Sequence, residues 1–374
     1  MNKKYRQTFT LLLSLAAVVF ISSQRSAEAR GLPLGRLNLP PGFKISVYAR
    51  EVPGARAMTM GSNGTLYVGS RDQSVYAIPD ADRDYKGDSV ITLLKGLNAP
   101  NGVEYRHGSL YVAEVHRIVR YDNIDSNLTQ APTPQVVNKA IPDKQHHGQK
   151  YLKFGPDGWL YVAVGAPCNV CEPPDWRFAS ILKMKEDGTE MKVFASDIRN
   201  SVGFDWHPTT KQLWFTDNGR DWLGDDSPPE ELNCAPKQGL HFGFPYCHGG
   251  NIADPEFGKK RSCSEFTSPE IRIPAHHAAL GVKFYSGQMF PSQYRDCAFI
   301  CEHGSWNSSQ RVGYQLSLVR TKNGKAVSYE KFIDGWNQPF GVWGRPVDIL
   351  FLPDGSMLVS DDHAGAIYRI TYQK

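Results

Sequence analysis

GPDGWLYVAVG, residues 155–165, reads as a tight turn feeding a strand. Asp157-Gly158 supplies the positive-φ position that closes a hairpin between twisted strands, and the aromatic and aliphatic run behind it has strand character. The same phrase recurs as GSNGTLYVGS (61–70), HGSLYVAEV (107–115), HPTTKQLWFTDNG (207–219), YRDCAFICEHG (294–304) and LPDGSMLVSDD (352–362). Strand-like runs precede three of the six, at YLKF (151–154), VGFDW (202–206) and VDILFL (347–352), and others follow, at SVYAI (74–78), RIVRY (117–121) and AIYRI (366–370). Each unit therefore reads strand, tight turn, strand, turn, strand.

Six such units with almost no helical periodicity between them predict an all-β chain folded as a six-bladed β-propeller, in which radial repetition leaves only short edges. A large β-sandwich also spaces its strands regularly, but repeating a whole strand–turn–strand phrase six times favours the propeller. LPPGFKISVYA (39–49) alternates apolar with polar residues ahead of the first unit and is expected to close the ring by joining the last blade. The longest intervals, between the third and fifth units, carry Trp176, DWLGDDSPPEELN (221–233) and HFGFPYCHGG (241–250). Insertions on a regular scaffold are where function usually sits.

Composition agrees with one large folded body. The 374 residues are 41% hydrophobic and 21% charged, with 34 Gly and 25 Pro, which excludes a disordered chain, a coiled coil and a multi-span membrane protein. MNKKYRQ is a basic leader segment, TFTLLLSLAAVVFISS an apolar run, and Ala27-Glu28-Ala29 a cleavage-like site, so residues 1–29 read as an export signal and 30–374 as the propeller domain. The run is shorter than the roughly 20 apolar residues of a spanning helix, which argues against stable membrane insertion. Export implies a periplasmic or secreted protein. Removing the leader takes away four basic and one acidic side chain, lowering the formal charge from +4 to +1, so no basic field attracts nucleic acid.

All seven cysteines follow the leader, and an exported chain permits disulfides. Cys247 and Cys263 bracket a Gly- and Pro-containing loop and are the expected pair. Cys297 and Cys301 lie four residues apart in a strand, about 13 Å if extended, too far to bridge each other. Cys168 and Cys171 lack the second pair of ligands a zinc site needs, leaving a structural bridge or loop thiols. An odd count leaves at least one thiol free or paired between chains.

Four clusters carry candidate chemistry. His146-His147-Gly148 places an imidazole where an inner strand is expected to begin, and because successive strand side chains alternate faces, only one of the two histidines is expected to face the central pocket. Arg199-Asn200 offers a fork donor and an amide, although such an Arg equally forms structural ion pairs. Asp217-Asn218-Gly219-Arg220-Asp221, with Asp225, Asp226, Glu230 and Glu231, is a dense set of hard oxygens suited to Ca²⁺, without the spacing of a helical hand loop. Gly344-Arg345-Pro346-Val347-Asp348, with Arg311, His276 and His277, gathers cations for an anionic ligand.

The order HHGQKYLKFGPDGWLYVAVG, IRNSVGF, FTDNGRDWLGDDSPPEELN, HFGFPYCHGG, CEHGSWN, GRPVDILFLPDG resembles the glucose/sorbosone dehydrogenase family, soluble six-bladed propellers that use pyrroloquinoline quinone and calcium. The resemblance runs from about Leu39 to Tyr372. It implies that His147, eight positions before Gly155, is the general base, that Arg199 stabilises the developing quinone oxyanion and that Asn200 adjoins the cofactor. It likewise implies that Gly219 and Arg220 offer backbone carbonyls to calcium, and that Arg311 and Arg345 meet the cofactor's carboxylates. Val202 and Val347 replace a polar ligand and a second Arg of the glucose-oxidising members, which places the chain nearer the sorbosone-type branch. The function implied is oxidation of an aldose or sugar aldehyde, with electrons passed to an external quinone or redox protein. A metal-dependent lactonase and a non-catalytic carbohydrate- or protein-binding propeller are the alternatives; neither needs three arginines converging on one anion.

Overall fold

Each recurrent phrase becomes the turn and second strand of a sheet with four antiparallel strands: Leu66–Ser70, Ser109–Ala113, Leu160–Val164, Leu213–Asp217, Ala298–Glu302 and Met357–Asp361; the third sheet adds a fifth strand, Leu240–His241, in parallel. The computed structural model describes residues 31–373, so the export signal lies outside the described residues. Leu34–Arg36 form one 3-10 turn, and the propeller is built from Leu37 onward. The first strands of the six sheets, Ala55–Met60, Gly102–Arg106, Leu152–Phe154, Phe204–Trp206, Ala279–Phe284 and Pro346–Phe351, neighbour one another around the axis. Six blades result, as the repeats predict. Among the described residues no helix is long and apolar enough to cross a membrane.

The sequence reading gave three strands to a unit, and the structure has four. In the first five blades the fourth strands are Ile91–Leu94, Gln135–Asn138, Lys192–Ser196, Ile271–Ile273 and Lys325–Ile333. These strands lie beyond the recurrent turn-and-strand phrase, so the repeat does not mark them. The sixth blade takes its outer strand, Phe43–Arg50, from the start of the chain, with Phe43 opposite Tyr372. Phe43 also meets Phe290, Tyr294 and Phe332 edge-on at centroid separations of 4.9, 5.3 and 5.0 Å, which anchors the closing strand to the fifth blade.

Around the axis, Glu104, Lys153, Asp205, Lys283 and Asp348 come from five consecutive inner strands with alternating charge. Lys153 lies 2.6 Å from Asp205 and Lys283 3.7 Å from Asp348. The carboxylates also accept backbone N–H groups of the next blade, Asp205 from Phe284 at 3.0 Å and Asp348 from Met58 at 3.1 Å. In the first blade the hydroxyl of Thr59 accepts from Tyr105 N at 3.1 Å. The ring fastens neighbouring blades at the centre.

Cys247 and Cys263 are bridged as expected, with Cα atoms 5.4 Å apart. Cys168 and Cys171 form a second bridge and are not thiolate ligands of a metal. Cys234, Cys297 and Cys301 are free and buried.

Candidate functional site

Loops that enter the inner strands and loops that leave the second strands return to the same end of the axis. His147 lies five residues before Leu152, Arg199 five before Phe204, and Arg345 directly before Pro346, while Gly219 and Arg220 follow the strand ending at Asp217. This topology assembles a site from separate blades.

His147 is not a strand residue. It sits in the turn closed by Gly148 N donating to Gln145 O at 2.9 Å, with a φ of 49°. Strand alternation therefore does not separate the two histidines; the turn does, leaving His146 exposed and His147 half-buried, their rings 4.1 Å apart. Gly165 makes this packing possible, since a Cβ there would lie 2.5 Å from the Cβ of His147. The Nδ1 of His147 is 3.0 Å from Ala166 O. A carbonyl only accepts, so Nδ1 carries the proton and Nε2 keeps its lone pair. Burial, then the neighbouring Arg199 and His146, hold the pKa of His147 well below 6.5. The imidazole is a neutral base across the neutral range.

Arg199 is fixed at both ends. Its N–H and that of Asn200 donate to the Asp217 carboxylate at 2.9 and 2.6 Å. Its buried guanidinium donates to Asn169 O at 2.8 Å, Asn218 O at 3.2 Å and Asp221 Oδ2 at 3.0 Å. Burial lowers its pKa and Asp221 opposes that shift, and a guanidinium stays charged regardless. Glu230, also buried, accepts from Gly219 N at 2.8 Å and Ala278 N at 3.2 Å, and burial pushes its pKa up to about 7. The side chain of Arg220 pairs with Asp254 at 2.6 Å.

His147, Arg199, Asn200, Gly219 and Arg220 thus line one pocket enclosing about 180 Å³. Asp221, Glu230, His276 and Trp306 line it as well. Arg345 and Arg311 do not. Arg345 donates to the carbonyls of His303 and Gly304 at 3.0 and 2.6 Å, and exposed Arg311 donates to Gln338 O at 3.4 Å. The three arginines do not converge on this pocket.

The acidic cluster is likewise divided. Asp217 and Glu231 face each other across paired strands, lining a smaller cavity behind Arg199; burial raises both pKa values, and the Glu231 charge raises that of Asp217 further. Asp225 instead accepts from Ser309 N at 2.9 Å. Of the cationic fourth cluster, His277 pairs with Glu302 and Asp348 joins the axial ring. Val202 and Val347 pack together with Leu280 as a small buried apolar cluster. Sequence reasoning missed Gly165 and Asp254. The first closes the repeated phrase and was readable as a close-approach glycine; the second has no local signature.

The profile of the TrAA12-like family matches residues 37–373. An uncharacterised protein of Borreliella burgdorferi is 32% identical over 375 residues, covering 96% of this chain and 97% of its own. Among solved structures, the calcium structure of the Trichoderma reesei carbohydrate-active enzyme of family AA12 superposes with a TM-score of 0.78 at 20% identity, over 90% of this chain and 97% of that one. The holo pyranose dehydrogenase PQQ domain from Coprinopsis cinerea gives 0.77 at 17% identity over 90% and 97%. The PQQ-bound aldose sugar dehydrogenase of Streptomyces coelicolor gives 0.63 at 18% over 90% and 100%. The match spans every blade of the propeller and the loops that build the pocket, and the chain belongs to the TrAA12-like family.

Proposed function

We propose that this chain is a quinoprotein sugar dehydrogenase. It oxidises an aldose or related sugar aldehyde with pyrroloquinoline quinone and Ca²⁺, and its electrons pass to an external acceptor. The observation that carries the reading is a half-buried, neutral His147 and a buried, fixed Arg199 on one polar pocket wall, in a chain of this family. The donor set suits the ligands. Glu230 is a buried carboxylate held by two backbone N–H groups, with no salt bridge among the described residues, beside the backbone of Gly219 and Arg220, the hard-oxygen chemistry Ca²⁺ takes.

The quinone, when bound, would supply a two-electron acceptor for the hydride leaving the sugar carbon. His147 Nε2 takes the proton from the sugar hydroxyl or aldehyde hydrate. Arg199, anchored by Asp221 and Asn169, holds positive charge where negative charge develops, with little reorganisation. Asn200 adds an amide to the same wall. Gly219 and Arg220 are the proposed carbonyl ligands of calcium, while Arg311 and Arg345, outside this pocket, are given no part in holding the cofactor. Val202 and Val347 pack with Leu280 away from the pocket lining; the sorbosone-type preference over glucose rests on their standing where the glucose-oxidising members carry polar residues. Two disulfides support export of the mature chain to the periplasm or beyond.

Reconstitution tests this. Quinone and Ca²⁺ together should raise Tm, because a ligand that binds only the folded state stabilises it, and should switch on sugar-dependent reduction of a dye acceptor. An unchanged Tm and no dye reduction across an aldose panel would sink the proposal.

A further inference from the structure

Two tryptophans stand at the rim of the pocket with most of their surface in water, Trp222 at 68% and Trp306 at 69% exposure, the most exposed large apolar side chains among the described residues. Their rings meet edge to face, with centroids 5.7 Å apart at 88°. Trp306 also forms part of the pocket wall.

The pair is held in place by its loops rather than by burial. Trp222 has a φ of 71°, which a bulky side chain rarely adopts, and its N–H donates to Asn307 Oδ1 at 2.9 Å. The next stitch joins the same two loops, from Ser309 N to Asp225 at 2.9 Å, and a third fixes Gly224 O to His276 Nε2 at 2.7 Å. An unusual backbone conformation, over-determined by its surroundings, presents two large rings to solvent. Exposed apolar surface beside a polar pocket marks a ligand site.

The chemistry of that ligand follows from what adjoins the rings. The wall behind them offers the amide of Asn200 and the carboxylate of Asp221, groups that bond hydroxyls. A pyranose ring has both hydroxyl edges for such groups and a C–H face for an indole. Trp306 belongs to the wall and Trp222 stands beside it toward solvent, so a ligand seated against the wall and continuing past the rim meets both rings. We propose that Trp222 and Trp306 form a stacking subsite for a second sugar ring, so that the substrate is the end of an oligosaccharide rather than a free monosaccharide. This rests on the sugar-oxidising reading above.

The test titrates the full chain with Ca²⁺ present and no quinone, following heat and tryptophan fluorescence, with glucose and with its α-1,4 and β-1,4 di- and tetrasaccharides. Dye-coupled KM values are measured in parallel on the reconstituted protein. In at least one series the oligomers should bind about tenfold tighter than glucose, the scale of one aromatic contact at the upper end of its range. Trp222→Ala and Trp306→Ala should each remove that gain, and Trp306→Phe should retain most of it. Affinity independent of chain length in both series, or a gain that survives both alanine variants, overturns the subsite. A chain-length gain without any sugar oxidation leaves the subsite standing and removes the dehydrogenase reading; oxidation without the gain does the reverse.

Discussion

Burial and a neighbouring guanidinium set the charge of His147 before any ligand arrives. With Nδ1 donating to Ala166 O, only Nε2 is basic, and a protonated ring beside Arg199 is disfavoured. The active form is neutral and its folded pKa is lowered, so the ascending limb of kcat/KM should fall on the acid side of 6.5, with a plateau through neutral pH. A limb centred at or above 6.5, read from a pH–rate profile, would contradict the assignment. His147→Gln should lower kcat by about 10²–10⁴ and preserve the fold, whereas exposed His146→Gln should do much less. The histidine pair was legible from its place ahead of a blade, and the choice of His147 followed from the family resemblance. The reason it faces inward was not, because that depends on a positive-φ turn packed against Gly165 of the next loop rather than on strand alternation.

Among the elements, the long excursion after the fourth blade's third strand acts through its bridge. Cys247 and Cys263 close the loop that carries Asp254, and Asp254 holds both Arg220 at 2.6 Å and His248 at 2.9 Å. The bridge therefore fastens the clamp on a proposed calcium ligand. Replacing both cysteines by serine should cost about 3 kcal/mol in denaturant unfolding, the scale for a closed loop of about 15 residues. It should also weaken Ca²⁺ binding measured by titration; full retention of Ca²⁺ affinity would separate the loop from the site. The bridge was readable from loop placement, since proximity in sequence makes closure cheap. The Arg220–Asp254 pair was not, because 34 residues and a change of direction separate its members.

For the whole molecule, closure of the ring creates interactions that no single blade contains. Asp205 lies beside Lys153, with Lys283 adding to the attraction, and accepts Phe284 N across a blade boundary. Asp205→Ala should therefore destabilise by about 3 kcal/mol, the lower end for removing one partner of a buried pair, since the Lys153 side chain keeps 25% of its surface exposed. Replacing Lys153 and Asp205 together by Met and Leu should cost less than the single change, and a denaturant series that ranks them the other way would refute the pairing. Turn chemistry, strand character and the sixfold repeat are properties of neighbouring residues, so the propeller, its closing strand and the candidate His147, Arg199 and Gly219 were all written in the chain's local order. The fourth strands of the blades, the division of the acidic cluster, the outlying positions of Arg311 and Arg345, and the alternating axial charges were decided only by tertiary structure. Each depends on which distant segments the closed ring sets face to face, and on the burial that then fixes which charges must be paired.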